Sequence, residues 1–473
     1  MNRVFSKSLT AVAVLAALSG CQVGRDFQRP QTSDVQWLPV QGDQAPSRTN
    51  TAPISARWWE VFQDAQLSSL IDRAVAANLD LRIAAARLQQ SRAAREVIGG
   101  EQTPSVDGNL GYQRKRNSAE GLNDPSGNAG RAAFNQWDGG IGASWELDLW
   151  GRVGREVEAA DANVQVAEND QRAALLSLQA EVANDYLRLR GLQQTLAVTR
   201  QNLDLARNSL ELSRVRLSDG VATHLDVAEA AAEVASLESR LPVLEQNQAS
   251  LINALGLLLA QTPRALQSEL EPSRPMVAVP AAVPVGLPSE LAQRRPDIRR
   301  AEARLHAATA SIGVAEGDFY PRIMLSGNVG FQSLQLSDFG SWGSRAFGIG
   351  PQLSVPIFEG GRLRGMVHLR EAQEQEAALA YQQTVLRAWQ EIDDGMGLYN
   401  ASQLQQRKLA EAVQHNQVAL EAVKRQYVEG VVDFVNVLTV QRTLLATQEQ
   451  WVQSSTTQAQ ALVGLYRSLG GGW

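Results

Sequence analysis

The chain has 473 residues, 44% of them hydrophobic and 20% charged, and a formal net charge of −6. That apolar content is enough to build cores, which excludes a disordered chain, and an acidic balance without a Lys/Arg-rich run excludes a nucleic-acid binder.

The amino terminus has the layout of a secretory signal. Arg3 and Lys7 precede an apolar stretch from Leu9 to Leu18, which is too short to span a bilayer as a mature helix. It runs into Leu18-Ser19-Gly20-Cys21, an ending that resembles a bacterial lipobox. Cys21 is the only cysteine, so a disulfide within one chain is impossible. Residues 1–20 read as a signal peptide and 21–60 as a lipid-anchored extended segment. Gln22 follows where inner-membrane lipoproteins typically carry Asp, and by resemblance to that sorting pattern the anchor belongs to the outer membrane. No later run approaches the 18 apolar residues of a spanning helix, so any crossing must be made by β-strands.

Residues 61–262 then form one block: a helix over about 65–98, strands over about 105–116 and 134–149, and a helical hairpin over 154–260. The strands read residue by residue. Val106, Gly108, Leu110 and Tyr112 face one way, and Asp107, Asn109 and Gln113 the other. Trp137, Ile141, Ala143, Trp145, Leu147 and Leu149 alternate with Asp138, Ser144, Glu146 and Asp148. Period-2 alternation places lipid or core on one side and water on the other, with Asp107, Asp138, Glu146 and Asp148 on the wet side. A soluble sheet with one wet face fits the alternation too. In the hairpin, Leu175, Val182, Leu189, Leu196, Leu203, Leu210 and Leu217 recur every seven residues, the pattern of long helices supercoiled on their neighbours. At 1.5 Å per residue, Glu156 to Leu217 spans roughly 90 Å if unbroken. After a turn at Gly220, the returning arm carries Val227, Val234, Leu241, Gln248 and Leu255, with Pro242 predicting a kink or break.

Residues 263–288 hold six of the 17 prolines and read as an extended connector. The block 289–473 then repeats the order: a helix over 289–317, strands over 322–333 and 345–358, and a hairpin over 362–469. Asn78–Leu88 and Arg295–Leu305 are identical at six of eleven positions. Adding 210 to each heptad number gives Val385, Ile392, Tyr399, Gln406, Val413, Leu420 and Tyr427, and Gly430 marks the second turn. The chain reads as a tandem duplication. Four strands cannot close a membrane barrel, since small ones begin at eight, so if these strands are transmembrane, several chains must share one barrel.

Catalysis and metal binding lack a constellation. The four histidines, His224, His306, His368 and His415, have no His or Cys neighbour at metal-site spacing. The expectation is a protein that is not an enzyme and holds no metal or cofactor beyond the lipid on Cys21.

Trp58-Trp59 with Phe62 and Asp64, Trp145-Glu146-Leu147-Asp148-Leu149-Trp150-Gly151-Arg152, Arg294-Arg295-Pro296-Asp297-Ile298, Phe319-Tyr320-Pro321 and Pro356-Ile357-Phe358 together resemble the TolC-like outer membrane factors, in the lipoprotein branch that serves tripartite multidrug efflux pumps. The resemblance covers essentially the whole mature chain. It implies an α+β, mostly α, membrane protein: a trimeric twelve-stranded transmembrane β-barrel, four strands per chain, continued by a periplasmic α-helical coiled-coil barrel. It implies a homotrimer in outer-membrane lipid, partnered by a periplasmic adaptor and an inner-membrane pump of RND type, and passing drugs or other small toxic compounds. Asp219, Gly220 and Val221, and Glu429, Gly430 and Val431, then become adaptor-binding tips. The candidate aperture region maps to Gln414, Gln417 and Glu421; the matching stretch Gln414-His415-Asn416-Gln417 lacks the acidic residues common there, with Glu411 and Glu421 close by. A metal-ion or type I secretion duct, and a non-conducting structural lipoprotein, are the alternative functions.

Overall fold

The computed structural model describes residues 22–30, 48–50, 54–118, 132–280, 282–285 and 294–471. Cys21 and the signal segment lie outside the described residues.

The described elements run β1 (Arg48–Asn50), α1 (Ala65–Ala77), α2 (Leu79–Gly99), β2 (Ser105–Lys115), β3 (Phe134–Glu146), α3 (Arg152–Ser218), α4 (His224–Leu258), α5 (Gln267–Leu270), β4 (Ala282–Pro284), α6 (Pro296–Gly317), β5 (Arg322–Ser333), β6 (Arg345–Ser354), α7 (Arg362–Val428) and α8 (Phe434–Ser468). Both outgoing arms, α3 and α7, have 67 residues, and both returning arms, α4 and α8, have 35. By its contacts the chain divides into two units, one of residues 1–30, 87–167 and 300–381, the other of 31–86, 168–299 and 382–473.

In the first unit, four strands form an antiparallel sheet in the order β2-β3-β5-β6. Its register pairs Ile141 with Gly108 and Val329, and Val329 with Phe347. Directly paired residues share a face, so one face collects Val106, Leu110, Tyr112, Trp137, Ile141, Trp145, Leu325, Val329, Phe331, Phe347, Ile349 and Leu353. The other collects Asp107, Asn109, Gln113, Asp138, Ser144, Glu146, Asn328, Gln332 and Gln352. The outer edges of β2 and β6 pair with no other described strand.

In the second unit, the turn Trp58–Phe62 packs its buried aromatics with Leu67, Leu70 and Ile71 of α1, Tyr186 and Leu187 of α3, and Leu462, Leu465 and Tyr466 of α8. Trp58 stacks on Tyr466 with centroids 5.5 Å apart. Arg190 is fully buried against the Tyr186 ring and donates to Gln66 and to Gln193 Oε1. Most heptad positions are interior: Val182, Leu189, Leu196, Leu203 and Leu210 are buried, as are Val385, Ile392, Tyr399, Leu420 and Tyr427, while Leu175, Leu217, Gln406 and Val413 are half-buried. Gln248, the polar interruption of the returning arm, is buried too, and its Nε2 donates to the Glu271 carbonyl 3.0 Å away.

Local chemistry moves several expected boundaries. The helix over 65–98 is two helices, because Asn78 leaves the helical conformation and accepts from the Leu81 N–H at 2.9 Å, capping α2. The same side chain donates to the Leu258 carbonyl at 3.0 Å. Pro242 does not break α4, which runs unbroken from His224 to Leu258; one absent N–H is outweighed by flanking positions that pack, Leu237 and Leu241 sharing a cluster with Leu203 and Val452. β3 ends at Glu146 and β6 at Ser354. Pro356 removes the ladder donor that a strand to 358 requires.

Candidate functional site: the two-faced sheet and the hairpin tips

Large side chains on the apolar face stand in the open: Leu110 is 80% exposed, Phe347 78% and Ile349 82%. Among the described residues, no helix packs onto these three side chains. At the helix-proximal end, Trp150 stacks on Tyr320 at 5.0 Å and donates its indole N–H to the Pro321 carbonyl at 2.8 Å. An amphipathic ring pair of this kind belongs at a membrane–water interface.

On the polar face two strands approach closely. Gly140 and Gly330 are register partners, and a Cβ on Gly140 would lie 2.5 Å from the Val329 carbonyl oxygen and 2.8 Å from the Gly330 Cα. A Cβ on Gly330 would likewise lie 2.8 Å from the Gly140 Cα. Nearby, a Cβ on Gly111 would lie 2.7 Å from the Asp138 carboxylate. Where two strand backbones come this close, only glycine fits. Asp107, Asp138 and Glu146 occupy this face.

Their charges are unequal. Arg152 grips Glu146 with two bonds of 3.1 Å and reaches Glu156 at 3.1 Å. Burial opposes the Arg152 charge, but the Glu146 pairing outweighs it and leaves its pKa raised. Asp148 does not lie on the strand as expected. It sits past the end of β3, where its carboxylate accepts from the Gly154 N–H at 2.7 Å, in the first turn of α3; the helix start recruits it as a cap, and Gly151 at φ +75° turns the chain between them.

Both hairpin tips are built alike. Gly220 (φ +74°) donates to the Leu217 carbonyl and Val221 to that of Arg216. Gly430 (φ +75°) donates to Tyr427 and Val431 to Gln426. This paired bonding closes a helix end through a left-handed residue, which glycine adopts without strain. Val221 and Val431 are left 62% and 68% exposed. The tips differ on the return: Thr223 and Asp226 cap each other across α4, whereas Asp433 makes no side-chain cap and Phe434 packs on Tyr427 at 5.4 Å. Gln414, Gln417 and Glu421 are exposed, at a spacing that puts them on one face of α7, and Glu421 lies 3.8 Å from Lys424.

The outer membrane efflux protein model matches residues 70–261 and again 287–471. The chain belongs to the outer membrane efflux protein family. Membership makes it an outer-membrane exit channel of an efflux system. Its relatives include the pyoverdine export outer membrane protein OpmQ of Pseudomonas aeruginosa, 32% identical with 99% of this chain and 97% of that one aligned. The toluene efflux pump outer membrane protein TtgF of Pseudomonas putida is 32% identical over 98% of this chain and 96% of its own. Among solved structures, the outer-membrane channel OprN superposes with a TM-score of 0.89 at 32% identity, covering 96% of this chain and all of that one. VceC of Vibrio cholerae gives 0.82 at 28% identity, covering 89% and 100%.

In this family member the sequence located the strand faces and both tips. It missed the Gly140–Gly330 contact, for which the only sequence signal is a glycine at matching places in two strands, and it missed the Arg152 partner that offsets Glu146.

Proposed function

We propose that the chain is one third of a trimeric duct, with its four strands pooled into a twelve-stranded barrel and its hairpins continuing the passage into the periplasm. The observation that carries this reading is a sheet that is apolar and open on one face, polar on the other, and whose outer strands pair with no other described strand. An unpaired edge in an apolar medium costs several kcal/mol per backbone group, so closure with other copies is the stable arrangement. The equal hairpin lengths at a 210-residue offset favour a tandem duplication that supplies two strands and one hairpin per repeat.

The tips around Gly220 and Gly430 dock the periplasmic adaptor, which links the duct to an inner-membrane pump of RND type. Gln414, Gln417 and Glu421 line the aperture; Asp107 and Asp138 give the upper lumen an acidic character that favours cations. Cys21, outside the described residues, carries the lipid that joins the chain to the outer membrane. The cargo is small and toxic to the cell, as the toluene pump named among the relatives suggests, and is selected by the inner-membrane partner. Purified protein reconstituted in a planar bilayer is expected to conduct in discrete steps with a preference for cations. Absence of conductance at any voltage would favour a structural lipoprotein instead.

A further inference from the structure

Residues 22–30 form no helix or strand, and Val23 and Phe27 are their only large apolar side chains. Ordering such a stretch costs about 1–2 kcal/mol of backbone entropy per residue, which two apolar side chains cannot offset. Directed polar bonds must hold it: Arg25 pairs with Glu374 at 3.0 Å and Arg29 with Glu302 at 2.8 Å near the surface, and the buried bonds converge on one side chain. Arg155, in the first turn of α3 and only 3% exposed, donates from Nε to the Val23 carbonyl at 3.2 Å and from Nη2 to the Gly24 carbonyl at 3.1 Å and to Asp26 Oδ1 at 2.7 Å. Its remaining nitrogen donates to Glu158 at 2.7 Å. Glu158 is also 2.8 Å from His306 Nε2, and the His306 ring stacks on Phe27 at 4.5 Å. The backbone fit is equally close: Gly24 has φ +90°, and a Cβ there would lie 2.6 Å from the Gly313 Cα, while a Cβ on Gly313 would lie 2.9 Å from the Arg155 Cγ. Gln22 rests on Gly151, and the Val23 N–H donates to the Trp150 carbonyl at 3.0 Å.

We propose that Arg155 is a positioning residue: it straps the segment after Cys21 onto α3 and α6, and thereby fixes the lipid beside the aromatic rim formed by Trp150 and Tyr320. Unstrapped, nine extended residues reach about 30 Å, so the anchor could insert anywhere within a bilayer's thickness of its root. Strapped, Cys21 is one residue from a side chain already seated on Gly151. The proposal rests on the reading of Cys21 as the lipidated residue.

The test is limited proteolysis of the full-length protein in lipid nanodiscs, with trypsin cleaving after Arg25 and chymotrypsin after Phe27, followed by mass spectrometry. Cleavage requires the strap to leave its seat. R155A and G24A are each expected to speed cleavage at these two sites more than tenfold while other sites keep their wild-type rates, and R155K, which keeps the charge but not the fork, is expected to fall between. Rates at Arg25 and Phe27 within twofold of wild type in R155A overturn the proposal. So does a uniform rise at every site in both R155A and G24A, since Arg155 then merely supports the fold. The mass of the released amino-terminal peptide reports separately on the lipid: an unmodified Cys21 refutes the anchor reading, whereas unchanged cleavage kinetics refute the strap.

Discussion

Asn78 and Arg295 stand at matching positions in the two repeats and do the same job with different chemistry. Asn78 donates to the carbonyl of Leu258, the last residue of α4; Arg295 donates at 2.6 Å to that of Ser468, the last residue of α8, and Ser468 lies 210 residues after Leu258. Each ties the start of one helix to an end carbonyl of the returning arm, a group that has no partner within its own helix. Replacing Asn78 by Ala removes two bonds at a buried site and is expected to cost about 1–3 kcal/mol, read as a lowered melting temperature of the helical signal. Arg295 also forks onto Asp297 at 2.7 and 3.0 Å and reaches Glu391 at 2.7 Å. Burial alone would raise the Asp297 carboxyl, but the Arg295 pairing and the Ile298 N–H outweigh it and hold it below its ordinary value. A carboxyl depressed in the folded state stabilises fully above its unfolded pKa, about 3.9, and the contribution fades as pH falls through the lower folded value. The melting-temperature gap between wild type and D297N is therefore expected to stay constant from about pH 7 to pH 5 and to close below about pH 4. A gap that closes near neutrality would contradict this.

At the scale of elements, the hairpins were the most legible part of the sequence. A seven-residue repeat over dozens of residues has one physical interpretation, and ten of the fourteen heptad positions in the two outgoing arms are buried. Boundaries were less legible because single side chains set them: Asn78 splits a helix by bonding to its own backbone, Asp148 leaves the strand pattern to cap α3, and Pro242 sits inside α4 without ending it. Those outcomes depend on partners far away in sequence, such as Leu258 for Asn78, which periodicity does not encode. The tips were legible because a left-handed turn demands glycine. Their backbone needs only that conformation, so Gly220→Ala and Gly430→Ala are each expected to cost about 1–2 kcal/mol and to leave the helices in place. The exposed valines beside them are expected to matter for docking instead. The double variant V221D/V431D should lose efflux in cells, measured as drug susceptibility, while keeping bilayer conductance; susceptibility equal to wild type would contradict the assignment of the tips to the adaptor.

At the scale of the molecule, the decisive property is the two-faced sheet. The alternation that the sequence displays fits a soluble sandwich as well as a membrane wall, and the difference lies in what covers the apolar face, which a single strand does not reveal. Gly140→Val should push β3 away from β5, because its side chain would collide with the Val329 carbonyl and the Gly330 Cα, and the variant is expected to fail to reach the outer-membrane fraction. The account as a whole depends on separate chains pooling their open edges. Native mass spectrometry of the protein extracted from outer membranes in mild detergent tests that most directly. Each chain is 51.3 kDa with its signal segment; a complex of three copies, stable until the strands are unfolded, is the predicted result, and a monomer that keeps its sheet intact would contradict it.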